Sequence, residues 1–347
     1  MFEIEKLLRE NIKKLVPYSS ARDEFKGEAA VFLDANENSF GSPLPRNYNR
    51  YPDPLQWKLK EKIAQIKGVP PQHIFLGNGS DECIDIAYRA FCNPAEDNVV
   101  LCPPTYGMYE VSARINDVKV RTVKLTEDFQ LDLPGIEAAT DEHTKLIFLC
   151  TPNNPTGNSM DRSAIEAILN NFDGIVVIDE AYINFARHRS FIPELTEYPN
   201  LVVLQTLSKA WGLAALRVGM AFSSIPVIEV FNKIKPPYNI NQASQELALQ
   251  ALENINAVNS WTKAIVEERG KLEQALVQLP FVLKIYPSEA NFLLVKTTDA
   301  VKIYNYLVGK GIIVRDRSKV ELCEGCLRIT VGTPEENRQL VECLSAF

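Results

Sequence analysis

Residues 201–217 read LVVLQTLSKAWGLAALR. The run LVVLQ is short, apolar and rich in strand-forming residues, which predicts a buried strand that ends near Thr206. Because AWGLAAL allows the chain after Lys209 to pack again, Lys209 would lie at the carboxyl end of that strand. A lysine in packed surroundings suits Schiff-base chemistry, and the hydroxyls of Thr206 and Ser208 are available to a phosphate. An isolated Ser-Lys pair also occurs in surface loops, so this stretch alone leaves both interpretations open.

Short apolar runs repeat on both sides of this stretch. Between about residues 55 and 240, the runs NVVLC, KLIFLC, IVVID, LVVLQ and GMAFS alternate with helical patterns, which predicts a mostly parallel sheet covered by helices on both faces. A long helical pattern, Leu247 to Leu279, is followed by FVLKIY, ANFLLV, IIVRD and CLRITV, which predict a second, smaller α/β unit. We expect three parts: an N-terminal helix and arm (1–45), a large domain (46–240) and a small domain (241–347).

Composition and charge exclude several classes of protein. The net charge of -7 and the absence of basic runs argue against nucleic acid as a main partner. No run of about 18 apolar residues is present, and the first residues do not resemble a secretory signal, so we expect neither a membrane span nor export. Seven scattered cysteines suit reduced thiols in the cytoplasm. Cys323 and Cys326 form an isolated C-x-x-C that we interpret as incidental, and the 3 histidines lack ligand spacing, so no metal is expected.

Polar residues follow several of the predicted strands, where ligands bind in open α/β sheets. After LGNG, the segment Ser80-Asp81-Glu82 opens a helical pattern, and the free N–H groups of that first turn form an anion site. A simple N-cap serine is the alternative. After NVVLC comes PPTY, which offers Tyr106 either for stacking on a planar cofactor or for filling the core.

An asparagine and an aspartate follow two further strands. TPNNPTG, at 151–157, predicts an unusual turn that presents Asn154, whose amide suits a phenolic oxygen. Asp179 directly follows GIVVI, where a carboxylate is costly unless a cation or a donor pairs with it. A protonated pyridine nitrogen is a natural partner for Asp179. With the anion site, the aromatic ring and Lys209, these residues describe a pocket for pyridoxal phosphate (PLP).

Several motifs resemble those of the PLP-dependent aminotransferases of fold type I: TPNNPTG, the Asp-x-x-Tyr of DEAY, and a Ser-Lys pair with an arginine eight residues after the lysine. More narrowly, LDANENSFG, NRYPDP, NGSDE, PPTYGMY, CTPNNPTGN, DEAYINF, TLSKAWGLAALRVG and CLRITVGTPEEN are similar to the histidinol-phosphate aminotransferase family. The resemblance runs from Tyr18 to about Asn337. It implies a large domain with a mostly parallel, seven-stranded sheet, a smaller α/β domain, and a cytoplasmic homodimer with shared active sites.

The resemblance also implies roles for the matching residues in binding PLP. Lys209 would bond to the cofactor, Asp179 would keep the pyridine nitrogen of the cofactor protonated, and Tyr106 would stack on the cofactor ring. These three residues would be the catalytic ones. Asn154 and Tyr182 would hydrogen-bond to the phenolic oxygen. The cofactor phosphate would be bound by Ser80, Asp81, Glu82, Thr206, Ser208 and Arg217, together with Tyr51 from a second subunit.

The substrate-binding residues implied by the resemblance are Tyr18, Asn36, Arg315 and Arg328. The implied reaction converts L-histidinol phosphate and 2-oxoglutarate to imidazole acetol phosphate and L-glutamate, in histidine biosynthesis. Arg315 with Arg328 favours a phosphorylated substrate, because two guanidiniums match a dianion better than a lone carboxylate does.

Other functions on the same fold stay open at this point. An aromatic amino acid aminotransferase and a threonine-phosphate decarboxylase are the alternatives among enzymes, and the two arginines do not separate the two phosphorylated substrates. A PLP-fold protein kept as a regulator without turnover is a third possibility. Because every catalytic position is filled, the sequence disfavours that third possibility.

Overall fold

The computed structural model describes residues 3–18 and 31–347. Its larger sheet has seven strands in the order β1-β7-β6-β5-β4-β2-β3. Their bounds are β1 Ile74–Asn78, β2 Asn98–Leu101, β3 Lys119–Thr122, β4 Thr144–Cys150, β5 Ile175–Asp179, β6 Leu201–Thr206 and β7 Val218–Ser223. The central strands are buried along their whole length because helices cover both faces, which explains why each reads as a continuous apolar run. The prediction of a mostly parallel, covered sheet is confirmed.

Strand direction decides which residues meet at one edge of this sheet. Strands β6, β5, β4, β2 and β3 pair in parallel, whereas β7 is antiparallel to both β6 and β1. The carboxyl ends of six strands therefore lie at the same edge as the amino end of β7. Arg217, directly before β7, is consequently brought to the edge at which Asp179 and Thr206 end their own strands.

The described helices pack on both sheets. They are α1 Ile4–Leu7, α2 Glu10–Lys14, α3 Trp57–Lys67, α4 Ser80–Phe91, α5 Met108–Ile115, α6 Leu133–Ala139, α7 Arg162–Asn171, α8 Ile225–Ile234, α9 Gln242–Leu252, α10 Ile255–Leu276, α11 Ala300–Gly309 and α12 Pro334–Ser345. The predicted apolar face of α4, formed by Ile84, Ala87, Tyr88 and Phe91, is fully buried against the large sheet.

The second sheet is small and antiparallel. Its order is β10-β11-β9-β8, with bounds β8 Val282–Ile285, β9 Phe292–Thr297, β10 Arg315–Asp316 and β11 Cys326–Thr330. Apolar side chains of β9, among them Phe292 and Leu294, join the same buried cluster as Ile178 and Val203 of the large sheet. A continuous core therefore holds the two sheets together, and the cleft between them is bounded by fixed walls.

Three sequence predictions differ from the structure in detail. The predicted N-terminal helix forms two short helices, α1 and α2, rather than one, and Leu8 and Ile12 are buried in a cluster with side chains of α4 and α8. The long pattern from Leu247 to Leu279 divides into α9 and α10 at Glu253–Asn254, where the Asn254 N–H bonds to Ala251 O instead of continuing the helix. Strand β3 was not predicted.

The predicted division at residues 45 and 240 stays a prediction, and part of the predicted arm, residues 19–30, lies outside the described residues. Among the described helices, none is both long and apolar enough to cross a membrane. Within residues 3–18 and 31–347 there is also no group of three or more His, Cys, Asp or Glu side chains placed to hold a metal ion.

Candidate active site

A cavity of about 520 Å³ lies between the edge of the large sheet and the small sheet. Its lining joins residues that are far apart in the sequence but follow the strand ends: Ser80, Asp81, Thr105, Tyr106, Gly107, Met108, Val111, Cys150, Asn154, Pro155, Asp179, Ala181, Tyr182, Thr206, Ser208, Lys209, Arg217, Arg315, Arg317, Val320 and Arg328. The predicted strand-end residues thus converge on one site. The lining holds five cationic side chains and two carboxylates, in a chain whose net charge is -7, so the cavity is suited to anions.

One wall of the cavity, formed by the start of helix α4 and Arg217, has groups that suit an anion. Helix α4 begins at Ser80, and Gly79 before it has φ 73°, a left-handed conformation that glycine adopts without strain. The first two residues of the helix, Ser80 and Asp81, line the cavity, where the free N–H groups of a helix start suit an anion. Arg217 donates to Ser208 Oγ at 3.3 Å and to Asp81 Oδ2 at 3.4 Å, which places a guanidinium beside that helix start.

Close backbone packing holds this wall in place. The N–H of Gly79 donates to the Arg217 carbonyl at 2.8 Å, and Arg217 itself has φ 55°. A side chain at Gly219 would collide with the backbone of Gly79 and Ser80, so only glycine fits at the second position of β7. The β1–β7 pairing therefore fixes the distance between the helix start and Arg217.

Asp179 lies at the end of β5 and is 3% exposed. Its Oδ2 accepts a hydrogen bond from Tyr109 Oη at 2.7 Å, and its Oδ1 accepts one from the Ala181 N–H at 3.0 Å. Burial raises the pKa of the Asp179 carboxyl, and the Tyr109 hydroxyl opposes that rise. No lysine or arginine among the described residues forms an ion pair with Asp179, so two hydrogen bonds and no salt bridge support this buried carboxylate, which also lines the cavity.

Lys209 follows β6 and lines the cavity. The structure places Lys209 Nζ 5.5 Å from the centre of the Tyr182 ring. Desolvation lowers the pKa of the Lys209 ammonium, although solvent reaches the side chain through the open cavity. The positive charges of Arg328 and Arg217 lower this pKa further, whereas the negative charge of Asp179 raises it. The neutral amine, which is the nucleophilic and proton-accepting form, is thereby favoured.

Aromatic and amide groups complete the centre of the cavity. Tyr106 donates to Asp81 Oδ1 at 3.1 Å, and its ring meets that of Tyr109 edge to face, which fixes the orientation of the Tyr106 ring. Tyr182 is buried, and Asn154 extends from the turn after β4. The Asn154 side-chain oxygen accepts a 2.5 Å hydrogen bond from Arg328, which links the turn to the small sheet.

Four predicted site residues lie outside this cavity. The Glu82 carboxylate turns away, toward the Asn78 N–H and the Asn239 amide. Tyr18 and Tyr51 are 75% and 51% exposed, and the Tyr51 ring stacks on Tyr238 with centroids 4.5 Å apart. Asn36 is exposed and adopts φ 55°. Their predicted roles stay predictions.

Two residues of the site were missed by sequence reasoning. Arg317 lines the cavity beside Arg315 and Arg328. The alternation Arg-Asp-Arg at 315–317 was a usable signal, because residues two apart on a strand share a face. Tyr109 bonds to Asp179, but its only signal was its position one helical turn after Tyr106.

The comparisons with known proteins agree with this geometry. The family model described as "Aminotransferase class I and II" matches residues 31–344, and the chain belongs to that family. Two relatives that align along the whole chain are histidinol-phosphate aminotransferases. One, from Cytophaga hutchinsonii, is 55% identical over 346 residues, which cover 100% of this chain and 99% of the relative. The other, from Bacteroides fragilis strain YCH46, is 56% identical over 348 residues, which cover 100% of both chains.

Solved structures also share the fold. The histidinol-phosphate aminotransferase from Clostridium acetobutylicum superposes with a TM-score of 0.79 at 22% identity, and the match covers 86% of this chain and 90% of that one. The histidinol-phosphate aminotransferase from Sinorhizobium meliloti, solved in complex with pyridoxal-5′-phosphate, superposes with a TM-score of 0.78 at 25% identity over 90% of each chain. The predicted fold and family are confirmed.

Proposed function

We propose that the chain transfers the amino group of L-histidinol phosphate to 2-oxoglutarate, giving imidazole acetol phosphate and L-glutamate, a step of histidine biosynthesis. The observation that carries the proposal is that one cavity joins Lys209 and Asp179 to the three guanidiniums of Arg315, Arg317 and Arg328. The relatives at 55% and 56% identity, which align over the whole chain, support the same substrate.

The cofactor of this reaction is pyridoxal 5′-phosphate, and the residues present fit it. The buried Asp179 carboxylate forms no ion pair with a lysine or arginine of the described residues, and it would accept a hydrogen bond from the protonated pyridine nitrogen. The start of α4, with Thr206, Ser208 and Arg217, would hold the phosphate. Tyr106 would pack on the ring, while Asn154 and Tyr182 would bond to its oxygen.

When bound, the cofactor supplies a carbonyl carbon that takes up the amino group and a ring that withdraws electrons from the substrate carbon. Lys209 would hold the cofactor and, as a free amine, would accept the α-proton of the substrate on Nζ. Its lowered pKa supports that role, because a general base works best when its pKa lies near the pH of the reaction. Asp179 would keep a negative charge fixed next to the ring nitrogen, in a site where burial strengthens the interaction.

The small sheet would bind the rest of the substrate. Arg328 is tied to Asn154, so its guanidinium is oriented in the cavity before a substrate arrives. With Arg315 it would bind the phosphate of L-histidinol phosphate and, in the other half of the reaction, the carboxylates of glutamate or 2-oxoglutarate. Guanidiniums suit both groups because their donors match planar and tetrahedral oxyanions in pairs.

The direct test is an absorbance spectrum of the purified holoenzyme before and after addition of L-histidinol phosphate without keto acid. We expect the visible band of the bound cofactor to be lost, and to return when 2-oxoglutarate is added. A band that does not respond would contradict the proposed substrate. Release of carbon dioxide without a need for 2-oxoglutarate would favour a phosphothreonine-type decarboxylase, and a response to phenylalanine or tyrosine alone would favour an aromatic aminotransferase.

We also propose that the active protein is a homodimer in which Tyr51 contributes to the second copy's cavity. Tyr51 does not line the cavity of its own chain, and it lies in a segment with further exposed apolar side chains, among them Leu33 and Phe40, at 83% and 104% exposure. Contiguous exposed apolar side chains of this kind mark interaction surfaces.

The dimer proposal predicts that Tyr51→Phe weakens cofactor binding by about 5- to 10-fold, the value of one neutral hydrogen bond. Tyr48→Phe is the matched control, because Tyr48 is a neighbouring exposed tyrosine that also lies outside the cavity. Cofactor affinity is measured by absorbance titration, and the assembly by analytical ultracentrifugation. An active monomer, or equal affinity in both variants, would contradict the shared site.

A cytoplasmic location is proposed as well. All seven cysteines are free thiols, and six of them are buried, which fits a reducing compartment. Cell fractionation of the tagged protein tests this proposal, and recovery in the periplasmic or membrane fraction would contradict it.

A further inference from the structure

Arg317 lines the cavity, and among the described residues its side chain has no ion pair. Its backbone N–H bonds to the Cys326 carbonyl at 2.9 Å, which anchors the main chain next to β11. Its guanidinium lines the cavity, yet Nε is buried without a hydrogen-bond partner. Across residues 3–18 and 31–347, no carboxylate forms an ion pair with it.

Strand pairing explains why three guanidiniums converge. Arg315 lies directly opposite Arg328 in the β10–β11 ladder. Because the Arg317 N–H continues the ladder to Cys326, Arg317 projects from the same face as Arg315, two residues away. Like charges opposite each other weaken a pair of strands, so this arrangement is unfavourable in the protein alone.

Neighbouring groups relieve the repulsion only in part, since the charge of Asp316 opposes the lowering of the Arg317 pKa. Burial lowers the pKa of the Arg317 guanidinium, and the charge of Arg315 lowers it further. Burial likewise lowers the pKa of Arg328, followed by the charge of Arg317. The carboxylate between them in sequence, Asp316, accepts a hydrogen bond from the Ser318 N–H at 2.8 Å. The three guanidiniums therefore keep an excess of positive charge that an anion entering the cavity would balance.

We propose that Arg317 determines specificity for the phosphate ester of the substrate, by donating hydrogen bonds to a phosphate dianion held jointly with Arg315 and Arg328. This inference rests on the proposed function. The cofactor phosphate would bind to the wall of the cavity that the large sheet forms, around Arg217. Arg317 belongs to the opposite wall, which the small sheet forms. A phosphate dianion offers three acceptor oxygens and can accept from three guanidiniums at once, whereas a carboxylate offers two.

The test compares Arg317→Gln and Arg317→Lys with Lys319→Gln in the holoenzyme. Lys319 is exposed and lies two residues further along, outside the cavity, so its substitution changes the net charge equally without touching the site. For Arg317→Gln we expect kcat/KM for L-histidinol phosphate to fall about 10- to 100-fold, the value of a hydrogen bond to a charged group. The rate with unphosphorylated L-histidinol should change less than about 2-fold, because that donor brings no dianion to Arg317. Arg317→Lys should recover part of the loss because it restores the charge.

A second measurement does not depend on the amino donor. Binding of inorganic phosphate to each holoenzyme is measured by calorimetry, with the cofactor already occupying its own phosphate site. We expect Arg317→Gln to weaken phosphate binding about 10-fold and Lys319→Gln to leave it unchanged. Because substitution of Arg317 removes repulsion, the ligand-free variant should melt at the same temperature as the wild type or higher, which rules out misfolding as the cause.

The outcomes separate this inference from the proposed function. If the wild type does not accept L-histidinol phosphate, the proposed function fails, and the calorimetry still decides whether Arg317 binds phosphate. If the wild type accepts it and Arg317→Gln retains the same preference for the phosphorylated donor, only the role of Arg317 is refuted. Equal losses with both donors, or unchanged phosphate binding, would also overturn it.

Discussion

Replacing Tyr109 with phenylalanine removes the hydroxyl that donates to Asp179 Oδ2 at 2.7 Å and leaves the rest of the ring in its buried position. Asp179 then retains one donor, the Ala181 N–H. A hydrogen bond to a charged group contributes about 1.5–3 kcal/mol, and one pKa unit corresponds to about 1.4 kcal/mol. The pKa of Asp179, which burial already raises, should therefore rise by about a further 1–2 units.

The direction of the effect on activity depends on which protonation state of Asp179 supports the reaction. The ionised carboxylate is the form proposed to hold the ring nitrogen's proton, and it is lost as the pH falls through the pKa of Asp179. Because Tyr109→Phe raises that pKa, activity should begin to fall at a higher pH than in the wild type. We expect the acid limb of the kcat/KM profile to move upward by about 1–2 pH units while the rate above that limb changes little.

Tyr88→Phe is a matched control for this experiment. Tyr88 is equally buried, and its hydroxyl donates at 2.8 Å to the backbone carbonyl of Tyr109 rather than to Asp179. Both variants lose one buried hydrogen bond, so both should lose about 1–2 kcal/mol of stability, but only Tyr109→Phe should move the acid limb. An unmoved acid limb in Tyr109→Phe, or the same displacement in Tyr88→Phe, would refute the idea that Tyr109 sets the ionisation of Asp179.

Two further predictions concern buried charges. Asp179→Asn keeps the shape of the side chain but removes its charge, so kcat should fall about 100- to 1000-fold while the melting temperature holds or rises; near-normal turnover would contradict the role of Asp179. Lys60 is 2% exposed, and burial lowers its pKa from 10.5 to about 8. The unfolded chain thus binds more protons between those pH values, and wild-type stability should rise with pH there. Lys60→Met should add about 3 kcal/mol below pH 8, an advantage that disappears toward pH 10.5. Urea unfolding at several pH values measures it, and the exposed Lys58→Met should show no such gain.

The sheet and most of the site could be predicted because burial leaves a strong pattern in the sequence. LVVLQ and IVVID are strands covered on both faces, so every side chain had to be apolar, and the polar residue at each end stood out. Because Asp179 and Lys209 both follow strands of one mostly parallel sheet, the sequence predicted that they would lie in the same cavity, as they do.

Features set by tertiary contacts could not be predicted in the same way. Strand β3 is at the sheet edge and is only partly covered, so KVRT lacks an apolar run. The break between α9 and α10 follows from local hydrogen bonding at Asn254, which leaves the periodicity of apolar residues intact. Arg317 was missed because its importance depends on the register that sets Arg315 opposite Arg328, and register is decided by the paired strand rather than by the residues themselves.

The order of the cavity's parts along the chain has a consequence for synthesis. The large-sheet wall, from Ser80 to Arg217, is translated well before the small-sheet wall, whose arginines all fall within residues 315–347. A chain still attached to the ribosome therefore carries the residues proposed to bind the cofactor before those proposed to bind the substrate have been made. A product truncated after residue 300 would retain Lys209 but lack all three of these arginines, so under the proposed roles it could hold the cofactor without selecting the substrate.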